Sequence, residues 1–205
     1  MEFHVPAGPI HSLKDFLLHL GIVTIGILIA LSLEQLIEAH HRAEVARVAV
    51  AGFRREITDD MQEVKGVLDA MPELRTQVHD SIVALTETPA AGAHPEPIKY
   101  PGIHFNFISS ASWDTALATQ ALANLPYDDV KRYAEAYGAL HLFLQQETHA
   151  VNLWQDMRRF GDDPALLSKD ERINLIEELR RYESYSHAIE LIGKGSMKSC
   201  ADALQ

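Results

Sequence analysis

From Phe16 to Leu33 the chain reads FLLHLGIVTIGILIALSL, with no formally charged side chain, and Leu36 and Ile37 prolong the apolar face by another turn. At 1.5 Å per residue this run approaches the roughly 20 residues that cross about 30 Å of hydrocarbon. Ser12 and Asp15 have the spacing of a capping box, so the helix is expected to start near Leu13. Two other readings compete with a membrane span. Ala30-Leu31-Ser32 loosely resembles a signal cleavage site. However, Glu2 and Asp15 against a lone Lys14 make a poor signal n-region, and the apolar run exceeds a signal core. A buried helix of a soluble bundle would carry a polar stripe, whereas here only His19, Thr24 and Ser32 interrupt.

Beyond Ile37 no Gly or Pro occurs until Gly52, and Val45, Val48, Ala49, Phe53, Ile57, Met61, Val64, Leu68 and Met71 recur at helical spacing. The spacing predicts that the anchor runs on as one long helix or a gently broken one to about Ala70, with Arg54, Glu56, Asp59 and Asp60 on its wet side. Pro72 would then begin a new turn, and Leu74, Val78, Ile82 and Leu85 keep the period. Pro89, Pro95, Pro97, Pro101 and Gly92 remove donors and fix extended dihedrals, which makes the stretch after Thr86 a strap. Ile103 to Ile108 alternates around His104 and Asn106, in the manner of a brief extended piece.

Next, a short helix is expected from Ser110 or Ser112 to Asn124. A long one, capped by Asn124, follows to Phe160 and Gly161, with Asp128 and Asp129 in its first turn. Its apolar face is Val130, Tyr133, Tyr137, Leu140, Leu144, Val151, Trp154 and Met157. Ser168 with Glu171 forms a second capping box, opening a helix through Ile173, Ile176, Leu179, Tyr182, Tyr185, Ile189 and Ile192 that closes at Gly193. The predicted fold is all-α, a single N-terminal transmembrane helix continuing into an extramembrane antiparallel helical bundle. Its divisions are a tail at 1–12, the span at 13–37, a stalk at 38–85, a proline-rich loop at 86–108 and a bundle packing on the stalk at 109–205.

The net charge of −11 opposes binding to phosphate backbones, so no nucleic-acid partner is expected. The single cysteine, Cys200, rules out an internal disulfide and leaves the redox compartment open. Arginines at 42, 47, 54 and 55 against Lys14 place the C-terminal domain in the cytoplasm if the basic residues are counted literally. Arg54 and Arg55 stand at the edge of the counting window, which brings the two orientations close to balance.

Candidate chemistry concentrates around the span. Gly26 and Ala30 form a small-xxx-small pair, with Gly21 and Thr24 as further small positions, where a second helix could approach. The bland alternative is that small residues are common in membrane helices. His19 and Glu34 could line a pore or proton path in an oligomer; otherwise His19 bonds a backbone carbonyl near the headgroups. Glu38, His40, His41 and Glu44 form the densest polar cluster. Glu38 and His41 share a helix face as in dimetal bundles, which need two such motifs and two further carboxylates. With one motif, a metal site would require a second copy of the chain, and a solvated charged collar is the simpler reading. No other cofactor is expected.

Gly193-Lys194-Gly195-Ser196 lacks the strand and spacing of a phosphate loop and reads as a helix terminus. Ser109, Ser110 and Ser112 read as caps, and Trp113 and Trp154 as core anchors.

The order of His4 and Pro6, LGIVTIGILIALSLEQ, EAHHRAEV, SSASWDTALATQALANLP and YAEAY resembles small bacterial membrane proteins of uncharacterised activity, with one N-terminal span and a helical extramembrane domain. The match covers the first 60 residues and about 30 around Trp113. Members of that family tend to carry glycine where Gln120 and Ala121 stand, and more basic tails. The resemblance implies the bacterial inner membrane with the helical domain in the periplasm, and no reaction. Together these readings favour a non-enzymatic, self-associating membrane protein that scaffolds or serves as an accessory or binding subunit of a membrane complex. An oligomeric ion or proton pore and a metal-binding protein are the alternatives.

Overall fold

Helix α1 runs without a break from Leu13 to Thr86, 74 residues. It is followed by α2 (Ala111–Ala118), a 3-10 turn (Ala121–Asn124), α3 (Tyr127–Arg158), a second 3-10 turn (Pro164–Leu166) and α4 (Lys169–Ala203). This computed structural model describes residues 13–87, 96–102 and 107–205. Outside them lie the tail with His4, Pro6 and Ser12, the strap residues Pro89, Gly92 and Pro95, and the alternating residues His104 and Asn106. All regular structure among the described residues is helical.

The chain divides into two compact units, Met1–Arg47 and Val48–Gln205. In the first, one helix is long and apolar enough to cross a membrane, and its apolar window is 0% buried within the chain. Its polar side chains turn onto their own backbone, Thr24 and Ser32 each donating to the carbonyl four residues back at 2.7 Å.

In the second unit, α1, α3 and α4 pack along a seam. The buried residues of α1 are Phe53, Ile57, Asp60, Val64, Val67, Met71, Leu74, Val78, Ser81 and Leu85, in strictly alternating steps of four and three. Those of α4, from Leu175 through Leu179, Tyr182, Ser186, Ile189, Gly193, Ser196 and Cys200 to Ala203, do the same. A seven-residue repeat is the signature of helices packed as in a coiled coil. Directions follow from the contacts. Arg54 donates to the Leu204 carbonyl, Arg75 pairs with Glu190, and Arg172 donates to the Leu85 carbonyl, so α4 is antiparallel to α1. Phe53 meets Tyr133 and Tyr137 near the start of α3, while Met71 and Glu147 share a cavity wall, so α3 is parallel to α1.

Parallel neighbours need a returning connection. Ser81 Oγ donates to the Lys99 carbonyl at 2.7 Å and Trp154 Nε1 to the Pro101 carbonyl at 2.8 Å, fixing the strap at one end of the bundle. At the other end Ser109 bonds Asp60 and Glu56.

Several local expectations change. Pro72 lies inside α1 and starts no new turn, because the buried Met71 and Leu74 on either side hold the helix on its seam despite the missing donor. Buried positions in α1 include Asp60 and Val67, while Met61 and Leu68 stand only partly covered. The helix expected to reach Asn124 stops at Ala118, with Gln120 at φ 57°, ψ 22°, and Pro126 rather than Asn124 precedes α3. The Ser168–Glu171 capping box is formed, but α4 passes through Gly193 to Ala203. Gly193 is a packing position: a Cβ there would stand 3.0 Å from both Leu68 Cδ2 and Phe143 Cε2.

Two predictions test this packing. Gly193→Leu should destabilise the bundle by about 1–3 kcal/mol through overpacking. Gly195→Ala, whose Cβ meets nothing within 4 Å, should stabilise it, by about 1 kcal/mol. Denaturant midpoints in mild detergent compare them, and equal effects would contradict the three-helix contact. At Gln120 the left-handed backbone penalises any side chain, so Gln120→Gly should raise the thermal midpoint, for a gain of about 1 kcal/mol; a lowered midpoint would refute that geometry.

Candidate functional site

The strap ends, α2 begins and three helices meet at one corner of the bundle. It opens at Gly52, where a Cβ would lie 3.2 Å from Ser112 Oγ, so α2 presses its first turn onto α1 at a residue without a side chain. One turn on, the half-buried Glu56 accepts hydrogen bonds from three elements. Ser109 Oγ donates at 2.6 Å, the Ser112 amide at 3.0 and 3.2 Å to the two oxygens, and Tyr137 OH at 2.7 Å. The first turn of α2 is thus capped by a carboxylate from another helix, which satisfies an orphan N–H and suits the helix dipole. Ser110, which directly precedes α2, turns its hydroxyl to Asp114 instead.

One further turn along α1 stands Asp60, 2% exposed. Its Oδ1 accepts from the Ser109 amide at 3.1 Å, and its Oδ2 is buried with no hydrogen-bond partner. Phe53, Trp113, Tyr133 and Tyr137 close the corner, with ring centroids 5.0 to 6.1 Å apart. Such tilted and edge-on pairs add to what burial alone contributes. From α4 comes Cys200, fully buried.

The electrostatics follow from dryness and like charge. Burial first, then the carboxylates of Glu56, Asp59 and Glu63, push the Asp60 carboxyl up to about 6, against the opposing hydrogen bond from Ser109. Burial and the bond to Glu56 push the Tyr137 phenol up, so it stays a donor. The Cys200 thiol, pushed up to about 12 by burial and by Asp60, is no nucleophile. Chemically the corner can clamp a segment and hold a proton.

The residues singled out in the sequence lie elsewhere. His19 Nδ1 is 3.0 Å from the Asp15 carbonyl. Among the described residues nothing beyond the local helix backbone stands within 4 Å of a Cβ built at Gly21 or Gly26, and Ala30 and Glu34 are exposed. Glu38 pairs with Arg42 at 2.7 Å and Glu44 with Arg47 at 2.5 Å, and His40 and His41 are exposed. Among the described residues no three or more His, Cys, Asp or Glu side chains gather as a metal site. A metal reading of Glu38, His40, His41 and Glu44 therefore still rests on a second copy.

Asp60 and Glu56 were expected on the wet side, because a charged residue next to another at Asp59 reads as surface. The overlooked signal is the strict four-three alternation from Phe53, which runs through position 60 and continues to Ser81. Comparison with protein-family models finds no match to the chain. Neither the curated proteins nor the solved structures contain a significant match.

If Glu56 joins α1 to α3, Tyr137→Phe should destabilise the bundle by about 1.5–3 kcal/mol, the range for hydrogen bonds to charged groups. Denaturant titration at neutral pH checks this, and an unchanged midpoint would show that the bond carries no weight.

Proposed function

We propose that the protein is a single-pass protein of the bacterial inner membrane that self-associates through its span and acts as a scaffold or as an accessory or binding subunit in the envelope. In this reading the helical domain faces the periplasm and performs no catalysis. The observation that carries it is the apolar run of α1. Leu18, Ile22 and Ile29 are 62%, 61% and 64% exposed. An apolar surface of that length matches the hydrocarbon thickness of a bilayer.

A second feature supports self-association. The span presents Gly26, Ala30 and Thr24 exposed and Gly21 partly so. Small residues at that spacing let two membrane helices approach closely.

The protein should stay with the membrane fraction after alkaline carbonate, and release would overturn the anchor. In mild detergent the intact complex should have the mass of an oligomer, and substituting Gly26 and Ala30 together with isoleucine should reduce it to the monomer. An unchanged mass would remove self-association through this face.

A further inference from the structure

Asp60 sits where the strap reaches α1, and it is the seam residue least suited to its place. On its own helix it faces Glu56, Asp59 and Glu63; from the strap it meets the Ser109 amide; from α3 and α4 it is near Tyr137 and Cys200. Every one of these groups is acidic or neutral. When ionised, Asp60 carries a charge of which only one oxygen has a donor, while Oδ2 is closed off from water. Relief requires water at Oδ2. The groups that would have to yield are those seated over the acid, the strap end at Ser109 and the first turn of α2, held by hydrogen bonds to the same two carboxylates.

We propose that Asp60 is a proton-operated latch: with its proton on, the strap end and α2 stay seated on α1, and with its proton off they lift to admit water. The neutral acid keeps its carbonyl oxygen for the Ser109 amide and tolerates burial. The anion next to Glu56 does not. The position of the folded-state titration, about 6 against 3.8 for a free aspartate, fixes the direction. The seated state binds more protons than the lifted one between these values, so its advantage is complete below the lower value and is lost as pH rises through the upper one. For an opening that exposes Asp60, the equilibrium shifts toward the lifted state by about tenfold between pH 5 and pH 7.5. The latch stands independently of the membrane reading, since its residues all belong to the Val48–Gln205 unit.

Amide hydrogen exchange on the full-length protein in detergent micelles, corrected for the intrinsic pH dependence of exchange, tests it. Protection of the Ser109 and Ser112 amides and of the amides bonded within α2 should fall by about tenfold between pH 5 and pH 7.5. In Asp60→Asn, which mimics the protonated acid, it should remain at the low-pH level throughout. Wild-type protection that ignores pH, or the same loss in the variant, overturns the latch. Should the variant fail to fold, carbon-detected titration of the wild-type carboxyl decides instead. A midpoint near 6 that Glu56→Gln lowers supports the proposal, and one near 4 overturns it.

Discussion

Helices α1 and α3 lie parallel, so the strap that leads from α1 to α2, ahead of α3, has to return along the bundle. That requirement sets most of what is unusual in the domain. The described strap residues 96–102 carry no regular structure, so their backbone groups find partners elsewhere: the Ile98 amide donates to the Asp162 carbonyl at 2.8 Å, and helix side chains take other groups. Ser81 and Trp154 receive it at one end through the carbonyls of Lys99 and Pro101, and Glu56 and Asp60 receive it at the other through Ser109. Pro101 and Ile98 are buried at the first of these ends. The prolines suit the task, since a residue without an N–H leaves one donor fewer to satisfy.

This explains why the seams are not wholly apolar. Among the buried positions stand Asp60, Ser81, Glu147, Ser186 and Ser196. Ser81 holds the strap, and Ser196 donates to the Ala139 carbonyl, joining α4 to α3. Such contacts add little net stability, but a polar group in a seam tolerates only the register in which its partner is opposite. With Gly193 admitting Leu68 and Phe143, a one-turn slip of α4 would bury an unmatched hydroxyl and put side chains where only hydrogen fits. The exposed ion pairs contribute less. The Arg75–Glu190–Lys194 group, which draws the Glu190 carboxyl down to about 2, ties α4 to α1 at the rim, where solvent screens it.

What was legible in the sequence was whatever is decided locally. The apolar run from Phe16 and the Ser168–Glu171 box follow from composition or from residues three apart, and the helical class follows from periodicity. What was not legible depends on groups distant in sequence. Asp60 reads as solvated because its neighbours are, and only the approach of Ser109, 49 positions later, makes it a seam residue. Gly193 reads as a stop because glycine weakens helices, but Phe143 and Leu68 require that small volume. Gln120 takes the left-handed conformation between α2 and the 3-10 turn that follows it, and no feature of its own sequence neighbourhood demands it.

Between the apolar run and the seam, α1 has neither reason to be helical. From Glu38 to Arg47 the side chains are exposed or only partly covered, so neither bilayer nor core holds the backbone there. What remains is intrinsic preference. The stretch EAHHRAEVAR is rich in alanine, glutamate and arginine, and no Gly or Pro occurs between Gly26 and Gly52. The pairs Glu38–Arg42 and Glu44–Arg47 have the acid on the N-terminal side, the better order for a helix, but stand in solvent that screens them. Small terms of one sign therefore decide the conformation where large ones are absent. A single glycine or proline in these ten residues would outweigh both ion pairs together, which makes their absence, more than any charge, the feature that keeps α1 one helix.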